Sequence, residues 1–110
     1  MKLPGAPDAI VEIEKLSDYS FSPDHPVGKH KARVFEASLG LRRQHAVEMQ
    51  NRLLDAARTY DCTATKNTTH GQHYEMDFML THQGRSALVR AVWIIRHGEK
   101  SPRLVTFHVL

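Results

Sequence analysis

Two stretches of this 110-residue chain gather side chains able to do chemistry. The first is His25-Pro26-Val27-Gly28-Lys29-His30-Lys31-Ala32-Arg33, which sets two histidines and three cations at the entry to a helix. A helix N-terminus favours anions and the cations add to that field, so a phosphate would be held well here. The plainer reading is a solvated helix start behind a proline turn. The second stretch is divided along the chain: Arg90, Thr106 and His108 fall on one face of a sheet if the strands pair in sequence order. Histidine passes protons near neutral pH, and arginine clamps a phosphate through two parallel bonds. Metal-independent RNA cleavage needs little more. A 2′-hydroxyl attacks the adjacent phosphate, a base and an acid move the protons, and cations stabilise the pentavalent state. The plainer reading of this group is a polar, solvent-facing sheet.

Other reactive types are less organised. His70 and His73 are three apart, with His82 across a turn, but they lie near Thr and Gly in a loop. No His-Glu-x-x-His and no cysteine pair accompanies them, so no metal site is expected. The single cysteine, Cys62, permits no internal disulfide, and nothing near it marks an activated nucleophile. The glycosylation pattern Asn67-Thr68-Thr69 has meaning only in a secreted chain.

The elements that must position these groups are readable from hydrophobic period. Residues 1–11, with two prolines and a glycine, read as an extended arm of a single 1–110 domain. Ile13, Leu16 and Tyr19 suit a short helix over 12–19, stopped by Ser22-Pro23-Asp24-His25-Pro26. A helix over 29–39 buries Ala32, Phe35 and Leu39 and ends at Gly40. A longer one over 42–60 carries the stripe Val47, Gln50, Leu53, Leu54, Ala57 and Tyr60. After Asp61 the period becomes two. Strands are predicted over 74–81, 86–96 and 103–109, with a fourth at the edge over 63–69 and a hairpin turn at His82-Gln83-Gly84-Arg85. Ala87, Val89, Ala91, Trp93 and Ile95 form the face under the helices, joined by Val105, Phe107 and Val109. Leu88, Arg90, Val92, Ile94 and Arg96 then share the open face with Thr106 and His108. The fold class is therefore α+β, N-terminal helices on one face of a three- or four-stranded antiparallel sheet.

Composition sets wide bounds. At 41% hydrophobic and 25% charged residues the chain is globular, and no apolar run is long enough to span a bilayer. The opening Met1–Ile10 has no apolar h-region of a signal peptide, so a bacterial-type cytosol, or carriage by a longer partner, is expected. A net charge of +3 and a pI near 9.2 suit nucleic acid without demanding it.

The run from Glu14 to Tyr19, then Ser22 to Gly28, Lys31 to Phe35 and Leu39-Gly40, resembles the opening of a bacterial domain-of-unknown-function family. Its members are stand-alone proteins or C-terminal modules of polymorphic toxins. Val89 to Ile95, Gly98-Glu99 and Pro102 to Thr106 resemble its ending. The family in turn resembles the barnase–EndoU–colicin–RelE-like ribonucleases, which place helices before an antiparallel sheet. By that resemblance His25, Lys31, Arg90 and Thr106 are the site residues, without cofactor or metal. His25 would be base or acid, Lys31 and Arg90 would hold the phosphate, and Thr106 would position it. His108 departs from the pattern, where a tyrosine followed by proline is expected. The expected function is a toxin-type endoribonuclease acting on RNA. The alternative is a non-catalytic interaction protein paired with an immunity or antitoxin-like partner, using Leu88, Val92 and Ile94 as its surface.

Overall fold

The hydrophobic period changes at Asp61, and the computed structural model, which describes residues 1–110, changes architecture at the same place. Helices α1 (Gly28–Leu39) and α2 (Ala46–Thr59) precede strands β1 (Thr63–Thr68), β2 (Gly71–His82), β3 (Arg85–Arg96) and β4 (Arg103–Val109). The strands form one antiparallel sheet in the order β1-β2-β3-β4. The α+β reading holds, with all four strands present. No helix is long and apolar enough to cross a membrane.

Helix α1 begins where the proline segment ends, and it stops at Gly40, whose φ of 66° is cheap only without a side chain. The Gly40 N–H donates to the Glu36 carbonyl at 3.0 Å, and the Leu41 N–H to that of Phe35 at 3.2 Å, which closes the helix end. Helix α2 starts later than position 42. Arg42 is extended, and its N–H donates to the His45 ring at 3.0 Å, so residues 43–45 form a 3₁₀ turn before the helix proper. Its buried face is also rotated. Ala46, Met49, Leu53, Ala56 and Ala57 are buried, while Val47 and Tyr60 of the predicted stripe are exposed. Tyr60 instead stacks on Phe78 with ring centroids 4.9 Å apart.

Twenty-three buried residues make one core between the helices and the sheet. Trp93, Val89 and Ala91 are wholly buried, as the alternation in β3 requires. On β4 the predicted face is wrong at one residue. The register shifts between Val92 and Trp93: Val92 pairs with Thr106, but Trp93 pairs with Leu104. The extra residue, Val105, is a bulge. Leu104 therefore enters the core beside Phe107, and Val105 is only half-buried. Ile94, assigned to the open face, is also buried.

The N-terminal arm is bound in at both ends. Lys2 bridges Asp61, and Ile10 bridges Arg103 in parallel, while Leu3, Ala6 and Val11 are buried. The expected short helix is a wide π-type turn, Leu16–Ser20, in which the Phe21 N–H reaches the Leu16 carbonyl at 2.8 Å. The Ser20 hydroxyl donates to the Phe107 carbonyl at 3.0 Å. The segment from Ile10 to Ser20 thus lies against β4.

Candidate functional site

The site begins with a turn. Gln83 and Gly84 both take positive φ, 50° and 76°, as a two-residue hairpin demands. That turn pairs His82 with Arg85 and so places Asp77 opposite Arg90. From the other side β4 places His108 opposite Arg90. His108, Arg90 and Asp77 form one row across three strands on the face away from Trp93. Thr106, Val92 and Glu75 form the adjacent row.

The proline segment brings a second set of groups to this region. A Cβ on Gly28 would strike the Tyr19 carbonyl, so glycine alone lets the first turn of α1 lie on the turn holding Tyr19. There Lys31 Nζ donates to the Tyr19 hydroxyl at 2.9 Å, and the rings of Tyr19 and His25 meet edge-to-face at 4.8 Å. His25, Tyr19, Val105 and Thr106 line one cleft of about 570 Å³, whose remaining wall carries Glu12, Glu14, Lys15 and Asp18. Tyr19, His25, Lys31, Arg90, Thr106 and His108 are all half-buried.

His25 is already employed. Its Nδ1 accepts the backbone N–H of Val27 at 3.0 Å and of Gly28 at 2.9 Å. Those two bonds use the Nδ1 lone pair, so the ring offers its Nε2 side to the cleft. It caps the start of α1, which explains the histidine before a proline without reference to chemistry.

Arg90 is held by two carboxylates. Its Nε and Nη2 donate to Asp77 at 2.8 and 3.0 Å, and Nη1 lies 3.4 Å from Glu75. Of its five N–H groups, one on each terminal nitrogen stays uncommitted. The Arg90 bond keeps the Asp77 carboxyl below its ordinary pKa. His108 is pushed below the usual histidine value, first by burial, then by the charges of Lys31 and Arg90, against the opposing pull of Asp77 and Glu75. It is therefore a neutral imidazole at pH 7. The Thr106 hydroxyl oxygen and His108 Nδ1 are both buried without a hydrogen-bond partner.

The five expected site residues thus divide into a linked chain. His25 and Thr106 share a cleft, Lys31 joins it through Tyr19, and His108 feels Lys31 and pairs with Arg90. Arg90 itself turns toward Asp77 and Glu75 and lines a neighbouring depression with them. Tyr19 and Asp77 escaped the sequence reading as polar groups. Tyr19 sat on an apolar stripe, but Asp77 could have been found, because the turn at Gln83-Gly84 dictates what faces Arg90. Of the other histidines, His45 and His97 bond to backbone through their rings, and His73 Nδ1 is buried without a partner. Buried His82 meets the Leu39 carbonyl at 2.8 Å and Glu48 at 3.5 Å, and no group of three metal-binding side chains forms. Burial pushes the Cys62 thiol up, away from the reactive thiolate.

Residues 2–110 match the family described as domain of unknown function DUF6883, and the chain belongs to that family. A search of curated proteins gives no significant match. Among solved structures the chain is similar to one in a contact-dependent growth inhibition toxin–immunity protein complex from Klebsiella pneumoniae 342. The TM-score is 0.63 at 12% identity, over 96% of each chain. At that identity the likeness is one of fold.

Proposed function

We propose that this chain is a toxin-type endoribonuclease that cleaves RNA without a metal, by attack of a 2′-hydroxyl on its own phosphodiester. The observation that carries this reading is the pair of orphaned atoms, Thr106 Oγ1 and His108 Nδ1, beside Lys31 and Arg90. A buried polar atom without a partner costs stability. His73, Trp93 and Arg103 also carry one, but the Thr106 and His108 pair lies beside the cations Lys31 and Arg90, as a site for an anion requires. The toxin–immunity structure of like fold fits the same reading.

In this mechanism neutral His108 takes the proton of the 2′-hydroxyl as its oxygen bonds to phosphorus. The phosphorus–5′-oxygen bond breaks, leaving a 2′,3′-cyclic phosphate. The leaving oxygen takes its proton from Tyr19, whose hydroxyl oxygen already accepts from Lys31 and whose own proton is free to be given. Lys31 and the two uncommitted N–H groups of Arg90 meet the charge developing on the phosphate. Thr106 donates to a phosphate oxygen. His25 positions Tyr19 through their ring contact and is no longer needed as the base.

Incubation with RNA in EDTA tests this. Cyclic-phosphate ends should appear, and His108→Ala should lower the rate by about 10²–10⁴, the usual worth of a general base. Intact RNA after incubation with the native protein would refute the proposal. One feature favours a second reading, a non-catalytic partner in a toxin–immunity-like pair. Met79 and Leu88 stand side by side, exposed, on the same sheet face as Arg90, whose charge two carboxylates offset. Intact RNA with unchanged folding would put that reading first.

A further inference from the structure

A second concavity lies on the other side of the proline turn, between α1 and the turn at residues 41–45. It encloses about 440 Å³ and presents Lys29, Arg33, Arg42 and Arg43 against a single carboxylate, Glu36. Glu36 is taken by Arg42 at 2.9 Å. Arg43 is fixed in place, with Nε donating to the Ser17 carbonyl at 2.8 Å, Nη2 to the Ser22 hydroxyl at 2.9 Å, and the Asp24 carboxylate 3.8 Å from Nη2, so the uncommitted cations of the trough are Lys29 and Arg33. Lys29 and Arg33 are exposed and enter none of the ion pairs. The trough continues toward the β2–β3 hairpin, where Arg85 extends the basic line.

Helix stability does not explain this placement. Lys29 and Arg33 stand four apart in the first half of α1, where cations oppose the helix dipole and repel each other. The first turn holds no acidic residue to offset them. A bound polyanion would. We infer that this trough is a second phosphodiester-binding groove, holding single-stranded RNA several nucleotides away from the bond to be cut. This rests on the ribonuclease reading of the chain.

Three observations support RNA as the occupant. Lys29 and Arg33 are one helical turn apart, roughly 6 Å along the axis, and give a strand successive anchors. The two concavities are separated only by the proline turn, since Pro23 lines this one and His25 the other. The far wall of the His25 cleft, away from Thr106, carries Glu14 and Asp18 against Lys15, with Glu12 paired to Arg103, so it offers a continuing strand less positive charge than the basic trough does. An acidic protein is the poorer occupant. A protein interface centres on accessible apolar anchors, whereas Phe21, Ala32 and Leu41 in this trough are all buried.

The probe is a fluorescent 2′-O-methylated RNA of about twelve nucleotides, within the range one strand-binding groove covers. It lacks the attacking hydroxyl, so binding is read whether or not the chain cleaves RNA. Lys29→Glu together with Arg33→Glu should weaken binding at least tenfold in low salt. With two phosphates no longer neutralised, the slope of log affinity against log salt should fall by about 1.4. A three-nucleotide probe should bind the native and doubly substituted proteins alike. Thermal unfolding of the variant, whose changes are both exposed, serves as the folding control. Unchanged affinity and slope for the long probe, or native protein that binds poly-glutamate as tightly as RNA, would overturn the inference. Absence of RNA cleavage, with native binding present and weakened by the double substitution, would refute the catalytic reading and leave the groove standing.

Discussion

Replacing Thr106 by valine should make the protein more stable and less active. The hydroxyl of Thr106 is buried without a partner, on a strand residue paired with Val92. An unsatisfied buried hydroxyl costs about 1–3 kcal/mol. Valine has nearly the same shape, removes that cost, gains roughly 0.8 kcal/mol for a further buried carbon, and suits a strand. Part of the sum is lost because the residue is only half-buried, so a net gain of about 1–2 kcal/mol is expected. For a chain of this size that raises Tm by roughly 5–10 °C. Urea unfolding should show a higher midpoint at unchanged slope, the sign of altered stability rather than altered compactness. RNA cleavage by the same sample should fall, since the group proposed to donate to the phosphate is gone. Thr106→Val protein that is less stable than native would refute the reasoning, because the hydroxyl would then have a partner in the folded state. A more stable variant with full cleavage would remove Thr106 from the site.

Two further expectations concern charge and packing. Because His108 has a folded pKa below its unfolded value of about 6.5, the unfolded chain binds more protons in the window beneath that value. Its contribution to stability is present above about pH 6.5 and is lost as pH falls toward the folded pKa; Asp77, also depressed, acts in the same direction at lower, carboxylate pH. His108→Gln should flatten the stability profile just below about pH 6.5, and the acid limb of cleavage in native protein should lie below that value. A native acid limb above that value would contradict a neutral His108. Trp93→Ala, which empties a wholly buried position between Tyr74 and Leu104, should cost about 3–5 kcal/mol by thermal or urea unfolding.

The sheet was legible because its alternation and its turn chemistry agree. Once Gln83-Gly84 is read as a two-residue hairpin, the partners of every residue in β2 and β3 follow. The bulge in β4 was not legible. Leu104, Val105 and Phe107 are all apolar, so nothing in their types says which one yields its place in the core. Thr106 and His108 were still assigned to the open face correctly, because the bulge lies before them and the pairing beyond it is regular. The α2 face was misjudged for a related reason. Met49 and Val47 are both apolar, and the 3₁₀ turn that sets the helix start depends on a bond from the Arg42 N–H to a histidine ring. Side-chain capping of that kind, also seen at His25, leaves no trace in hydrophobic period.

The coincidence of the candidate site with the sheet edge follows from how that edge is protected. β4 is an outer strand, and an outer strand with free N–H and C=O groups invites pairing with other chains. Here Ile10 bridges Arg103 at one end, and the Ser20 hydroxyl takes the Phe107 carbonyl at the other. The cover that does this is the segment carrying Tyr19, and the next turn of chain must return across it to start α1, which only Gly28 permits. Lys31 and His25 are thereby delivered to Tyr19, beside the strand that holds Thr106 and His108. A device needed to close the sheet edge has thus assembled residues from opposite ends of the sequence. Loosening it, for instance with a side chain at Gly28, should disturb edge and site together.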